Sequence, residues 1–277
     1  MRGSRSWGWV GACSIGTSHL RTGAGCDDAA ACLEIEVGDA DPALIAVVSD
    51  GAGSAKLSRL GSHIVTTAFC RSAKAFLLNG GQAALIDDDV AAEWLDDIRD
   101  RVDQRAHLLQ ESPKAFAATL VGVVVQRHTA SIIHVGDGAC ALRLRGDTQW
   151  QVPSWPAQGE YASTTYFVTD DPYPRVAVST VPGAVEEIAL FTDGLERLAL
   201  DFTMGGAFPR FFETMFPALR RAESFGRQRV LSRELRSFLD GSLVTERTDD
   251  DKTLIMARLR SAEARLSPMI SPQSLAS

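Results

Sequence analysis

The sequence predicts an α+β chain in which antiparallel sheets are covered by helices. Three observations lead there. Short runs rich in Val, Ile and Leu, bounded by Gly, Pro or Asp, read as strands. Two stretches read as hairpins, which makes the pairing there antiparallel. Between the strand groups lie long stretches with apolar residues at three- and four-residue steps, the period of amphipathic helices. Runs of strands broken by long helices argue for sheets covered by helices over a doubly wound parallel fold.

The elements follow in order. A strand begins after the acidic pair in "GAGCDDAAACLEIEV". "PALIAVVS" over 42–49 is a continuous apolar run between Pro and Asp-Gly, the pattern of a buried strand. A helix is expected over 58–78, where Leu60, Ile64, Val65, Ala68, Phe69 and Phe76 share a face, although Gly61 and the Thr66–Thr67 pair weaken it. A stronger stripe over 91–110 carries Trp94, Leu95, Ile98, Val102, Ala106 and Leu109, with charges opposite. "AATLVGVVVQ" and "ASIIHVG" form a hairpin through "RHT", and "GACALRLRGDTQWQV" forms another. Residues 153–185 are rich in Pro, Tyr, Ser, Thr and Asp and read as a long irregular insertion or flap. "EEIALFTDG" is the next strand. Helices are expected over 205–222, interrupted at Pro217, and over 226–241, with Gly241 as C-cap. "TLIMARL" is the last strand, and 261–277 reads as a disordered tail.

Composition narrows the function. The 277 residues are 45% hydrophobic and carry a formal charge of −7, so nucleic acid and anionic membranes are not the expected partners. The five cysteines (Cys13, Cys26, Cys32, Cys70 and Cys140) include no C-x-x-C pair and read as reduced, mostly buried thiols of a cytoplasmic protein. No run has the length of a signal peptide core or a membrane span.

The most informative pattern is an acid at the end of a strand. "LIAVVSDG", "SIIHVGDG" and "EIALFTDG" each end an apolar run with Asp-Gly, giving Asp50, Asp137 and Asp193. "TDDDKTLIMAR" and "GCDDAAA" place further acids before strands. One Asp-Gly is an ordinary turn dipeptide. Five acidic strand ends are not explained by turns, and if they converge they need a counter-charge. Hard divalent cations such as Mg²⁺ and Mn²⁺ prefer such oxygen ligands.

The order of these motifs resembles the metal-dependent Ser/Thr protein phosphatases of the 2C type (the PPM family), in a bacterial-type branch. The matching stretches are "CDDA", "VVSDGAGSAKLSRLGS", "HVGDGA", "LFTDGLERL" and "DDKTLIMA", spread over about residues 11 to 260. The resemblance implies a four-layer αββα sandwich of two antiparallel sheets, with one phosphatase domain over 1–260. It implies that Asp50 bridges two Mn²⁺ or Mg²⁺ ions with help from the Gly51 carbonyl. Asp193 and Asp250 would hold the first ion, Asp27 would reach the second, and Asp28 would orient bound waters. Asp137 would join Asp193 at the third ion seen in some members. The implied reaction is hydrolysis of phosphoserine or phosphothreonine by a water bridging the two ions, with no covalent phosphoenzyme. The absence of a Cys-x5-Arg loop agrees. The implied partners are a phosphoprotein substrate and a cognate Ser/Thr kinase.

The chain departs from the family pattern in three places. Ala52 stands where many members have His. Asp251 replaces Asn, where its added charge tightens metal binding or simply faces solvent. Gly23 stands where an Arg clamps phosphate, which leaves Arg21 or His19 as substitutes. Of the acids in "TDDDKT", the Asp-x-x-Thr spacing selects Asp250 as the ligand and leaves Asp249 as a solvated loop acid. His63, His107 and His128 lack ligand-like neighbours, His134 reads as a packed, hydrogen-bonded histidine, and Lys56 is a weaker substrate candidate. Two rival readings are a pseudophosphatase that binds phosphoproteins without cleaving them and a phosphohydrolase for small molecules.

Overall fold

A computed structural model of the chain describes residues 5–38, 41–156 and 165–261. Its strands are β1 (Arg5–Ser14), β2 (Ala29–Ile35), β3 (Ala43–Ser49), β4 (Leu120–Gln126), β5 (Thr129–Val135), β6 (Ala139–Leu144), β7 (Gln151–Ser154), β8 (Ala177–Pro182), β9 (Val185–Phe191), β10 (Leu200–Asp201), β11 (Gly206–Ala207), β12 (Gly226–Arg227) and β13 (Lys252–Ser261). The helices are α1 (Thr17–Thr22), α2 (Ser58–Leu78), α3 (Asp88–Leu109), α4 (Glu196–Ala199), α5 (Pro209–Arg221), α6 (Arg229–Leu239) and α7 (Ser242–Thr245).

Two sheets organise the chain. One has the order β12-β1-β13-β9-β6-β7 and the other β2-β3-β4-β5-β8. Every pairing in them is antiparallel except the short contact of β1 with β12. Three apolar layers result. Leu44, Val48, Val121, Ile132, Leu190 and Ile255 fill the space between the sheets. Ile45, Val47 and Ile133 face outward beneath α2 and α3, where Phe69 and Trp94 pack edge to face. Phe191, Leu254 and Met256 lie beneath α5 and α6, against Phe212, Phe216, Leu219 and Leu235. This is the expected four-layer αββα sandwich. Strands buried on both faces explain why β3, β4 and β9 read as continuous apolar runs without alternation.

Helix α2 spans the expected residues, and the glycine that weakens its propensity has a packing reason. A Cβ on Gly61 would lie 2.0 Å from the Phe116 carbonyl oxygen in the 3-10 turn Pro113–Phe116. Because the clash is with backbone, no rotamer change relieves it. Gly61→Ala is therefore expected to cost about 3 kcal/mol of stability, near the top of the range for overpacking, read as a shifted denaturant midpoint. A neutral substitution would show that α2 can withdraw from this turn.

Several local expectations are corrected. Helix α5 runs through Pro217 without a break, because Phe212, Phe216 and Leu219 are buried on one face and hold it. Helix α6 ends at Leu239 with Asp240 as its cap. Gly241 is instead the N-cap of α7, its backbone extended at φ −77° and ψ 159°. The ends of the irregular segment expected over 153–185 are strands: β7 runs to Ser154, β8 occupies Ala177–Pro182 and β9 starts at Val185. β8 is an edge strand whose Pro182 is tolerated at its end, so its composition hid it. Residues 157–164 of that segment, and the tail from 262 onward, lie outside the described residues. β1 was not anticipated at all. Its two glycines mask a strand that pairs with β13 over ten positions.

All five cysteines are free, but only Cys140 is fully buried. His134 is buried and its Nδ1 hydrogen-bonds Ser154 Oγ across the two sheets, while burial pulls its imidazole down to about 4. Among the described residues no helix is long and apolar enough to cross a membrane.

Candidate metal centre

Strand register brings the acidic ends to one place. Ala29 pairs with Ser49, Val48 with Val121, and Leu120 with Val135, so the start of β2 and the ends of β3 and β5 lie together. In the other sheet Phe191 pairs with both Leu254 and Ala139, which sets the end of β9 beside the start of β13. Each acid extends one of these ends.

Asp50, Asp137 and Asp193 each offer a carboxylate oxygen, and these oxygens lie within 4.8 Å of one another. Like charges this close are costly. Burial raises the Asp193 carboxyl to about 9, with Asp50, Asp137 and Asp250 adding repulsion. Asp50 is pushed well above the ordinary range by burial and by Asp28, Asp250 and Asp137, and burial also raises Asp137 and Asp250. Oδ1 of Asp137 and Oδ1 of Asp193 are buried without a hydrogen-bond partner. Orphaned buried carboxylate oxygens demand a counter-charge. Hard oxygen donors in this number fit a divalent cation of the Mg²⁺ or Mn²⁺ kind.

The scaffold around the three is hydrogen-bonded in detail. Asp50 N donates to Thr119 Oγ1 (2.9 Å), and Thr119 N donates to the Asp50 carbonyl (2.8 Å). Thr165 Oγ1 donates to Asp137 Oδ2 (2.5 Å). The glycines after the acids serve close approach and not a left-handed turn. Among Gly51, Gly138 and Gly194 none has positive φ, yet a Cβ on Gly194 would sit 2.0 Å from the Asp251 carbonyl oxygen.

The remaining expected residues fall into distinct positions. Asp28 is buried; Thr192 Oγ1 donates to its Oδ2 (2.9 Å), its Oδ1 is an orphan, and burial lifts it to about 7. Asp27 is half-buried and accepts from Ser58 Oγ (2.9 Å), and its carbonyl oxygen lies against Gly51. Asp250 opens on a cavity of about 240 Å³ shared with Asp193. Its Oδ1 accepts from Asp251 N at 2.8 Å. Asp249 is 70% exposed and pairs with Arg21, itself 69% exposed. Asp251 neither faces solvent nor joins the trio. It is 1% exposed, with Oδ1 accepting from Gly16 N (2.6 Å) and Oδ2 from Asp27 N (2.5 Å) and bonded to His19 Nδ1 (3.1 Å). It clamps the acidic pair of β2 to the start of β13, a role for which backbone N–H groups favour a carboxylate.

From these positions Asp250→Asn is expected to weaken Mn²⁺ binding and activity by more than about tenfold. Asp249→Asn should change both by less than about twofold, as befits an exposed ion pair. Calorimetric Mn²⁺ titration of the two variants checks this, and equal effects would remove the distinction between the two acids.

Sequence reasoning missed two cations. Arg197 and Arg247 line the cavity with Asp193 and Asp250, and among the described residues neither forms an ion pair. Both lie close to the motifs, Arg197 just after Asp193 within "DGLERL" and Arg247 just before Asp250 within "ERTDDD". The signal is therefore present in the sequence, whereas Arg21 and His19 lie nearer to Gly23, the position of the expected clamp. Glu196, whose carboxyl is raised by burial and by Asp137, also borders the site.

The geometry can be set beside known proteins. The profile of the family described as "Protein phosphatase 2C" matches residues 15–240. "Serine/threonine-protein phosphatase 3" of Escherichia coli (strain K12) is 33% identical over 256 residues, covering 91% of this chain and 98% of that protein. PppA, described as a key regulatory component of T6SS in Pseudomonas aeruginosa, matches in structure with TM-score 0.58 and 16% identity over 93% of this chain and 100% of its own. Stp1 from Staphylococcus aureus matches with TM-score 0.57 and 17% identity, over 94% and 98% respectively. The catalytic domain of PstP, solved in complex with two manganese ions, matches with TM-score 0.57 and 16% identity, over 92% and 99%. At these identities the three structures speak to the fold alone.

Proposed function

The chain belongs to the protein phosphatase 2C family, and from that premise we propose that it hydrolyses phosphoserine and phosphothreonine in proteins, using Mn²⁺ or Mg²⁺. The observation that carries this reading is the meeting of Asp50, Asp137 and Asp193 at three strand ends with buried oxygens left unpartnered. Two divalent ions held there would supply charge to neutralise the phosphate dianion and to make a water acidic enough to act near neutral pH.

The chain's own residues divide the remaining work. Asp50, Asp193 and Asp250, with the Gly51 carbonyl, are the ligands we assign to the first two ions, with Asp27 at their outer edge. Asp137 with Asp193 would hold a third. We assign Asp28, held by Thr192 and with its Oδ1 unpartnered, to orienting bound water. Ala52 offers no acid for the leaving group, so no side chain at that position protonates the seryl oxygen. Arg197 and Arg247 are the cations we assign to the substrate phosphate in place of the arginine absent at Gly23. Arg197→Ala and Arg247→Ala should each raise KM for an aryl phosphate by about tenfold, the worth of one charged hydrogen bond, with Mn²⁺ affinity unchanged. An unaltered KM in both would return the role to Arg21 or His19.

In this reading residues 1–260 form one phosphatase domain, and the segment expected over 153–185 serves to select substrate. A cognate Ser/Thr kinase supplies the phosphoprotein, and the setting is the cytoplasm. Release of phosphate from a phosphoserine peptide, assayed with Mn²⁺ and again after chelation, tests the central claim. Activity only with metal is expected. Binding of the peptide without turnover at any metal concentration would favour a recognition module.

A further inference from the structure

Along β1 and β2 the two sheets meet at one end, where Ser6 Oγ and Trp7 N donate to the Glu34 carboxylate, and part beyond it. Trp9 of β1 and Ala30 and Cys32 of β2 lie at the margin of the inter-sheet core, each only half-buried. Gly11 and Cys13 continue the same face of β1 by alternation. Side chains this small leave a cleft of about 700 Å³, with Ile255 at its floor. That is the size of a small-molecule site, about 300–1,000 Å³.

The rim of this cleft is cationic. Arg229, Arg233 and Arg236 recur on one face of α6, and Arg227 joins them from β12. Like charges at three- and four-residue steps on a helix repel. Among the described residues none of the four forms an ion pair. Other arginines of the chain are matched: Arg143, Arg220 and Arg258 close on Glu186 and Glu187. In a chain of formal charge −7, an unmatched group of four guanidiniums around a cavity is a positive island. The guanidinium fork suits phosphate oxygens in particular. The floor is apolar, with one indole at its edge, which suits an organic body attached to those phosphates.

We propose that this cleft is a binding site for a small organic polyphosphate of nucleotide size. The arginines of α6 and β12 take the phosphates, and Trp9 with the small-residue floor takes the organic body. None of the lining residues is among those assigned to metal or substrate phosphate, although the cleft adjoins the acidic centre, since Cys13 in its wall lies in the field of Asp28 and Asp251. The proposal does not depend on the phosphatase reading.

Calorimetric titration of the full chain tests it, with chelator present so that metal does not sequester the probe. The probes are ATP, inorganic tripolyphosphate and an acidic phosphopeptide. ATP should bind at one site, more weakly as salt rises. The variant Arg229→Gln/Arg233→Gln/Arg236→Gln should lose at least about tenfold in ATP affinity. All three side chains are exposed, so its melting temperature and its Mn²⁺-dependent hydrolysis of an aryl phosphate should match the parent. Tripolyphosphate, lacking the organic body, should bind at least about tenfold more weakly than ATP. No ATP binding, or ATP binding unchanged in the triple variant, would overturn the proposal. Equal binding of tripolyphosphate would overturn the assignment of an organic ligand, and preference for the phosphopeptide would make the cleft a docking groove for protein instead.

Discussion

Asp50→Asn should abolish metal-dependent phosphatase activity and at the same time raise the melting temperature of the metal-free protein. The two effects share one cause. Asp50 stands among Asp28, Asp137, Asp193 and Asp250, and each neighbour raises the cost of ionising it or is itself repelled. Removing its charge relieves that repulsion. Asn keeps the size of the side chain, and the backbone bonds of residue 50 to Thr119 do not involve the carboxylate. The same change removes the oxygen assigned to both ions. Outer partners of metal ligands cost about 10–100-fold when lost, so loss of a ligand we propose for the ions themselves should cost more than about 100-fold in kcat/KM. Turnover assays with Mn²⁺ and thermal melts in chelator are both needed. A variant that is inactive and less stable without metal would point to a folding defect, and an active one would remove Asp50 from the centre.

The dual effect also bears on what could be read from the sequence. The acids were legible because each ends or begins a run that only a buried strand explains, and because an uncompensated cluster needs a cation. Their convergence is implied by the resemblance, and the registers of β3, β4 and β5 in one sheet and of β13 and β9 in the other supply its physical basis. What sequence could not give was the third dimension of the adjacent positions. Asp250 and Asp251 are neighbours of the same chemistry, yet one borders a cavity while the other is sealed beneath Gly16 and Asp27. No local pattern separates a carboxylate that binds a cation from one that binds N–H groups. β1 illustrates the same gap for the fold. Its glycines lower its strand propensity, and ten pairings with β13 override that. Pro217 and Gly241 misled for a related reason: burial of Phe212 and Phe216 decided the course of α5, and the chain past α6 turned without a left-handed residue.

The metal-free protein should lose stability as pH rises from about 5 to about 9, and Mn²⁺ should abolish or reverse that trend. Unfolded aspartates titrate near 3.9. In the folded chain Asp28 is raised to about 7 and Asp193 to about 9, and Asp50 and Asp137 move in the same direction. A group whose pKa is raised on folding contributes stability that is fully present below its unfolded value. That stability is lost as pH climbs through the folded value. For this cluster the loss begins near pH 4 and continues to about 9. His134 acts in the opposite sense, since its pKa is lowered to about 4 and its contribution is lost as pH falls below about 6.5. At least three carboxylates oppose one imidazole in the overlapping window, so the carboxylates set the sign there. Melting in chelator at pH 5.5 should therefore exceed melting at pH 8.5 by about 5–10 °C, on a scale of 2–4 °C per kcal/mol for a chain of this size. Deprotonated carboxylates are the form that binds a cation, so Mn²⁺ should stabilise most where the metal-free chain is weakest. Asp50→Asn should flatten the metal-free slope, because it removes one of the groups that creates it. A metal-free melting temperature that climbs steadily to pH 8.5 would mean that the carboxylates are already compensated within the chain, and the case for a cation at their meeting point would fall with it.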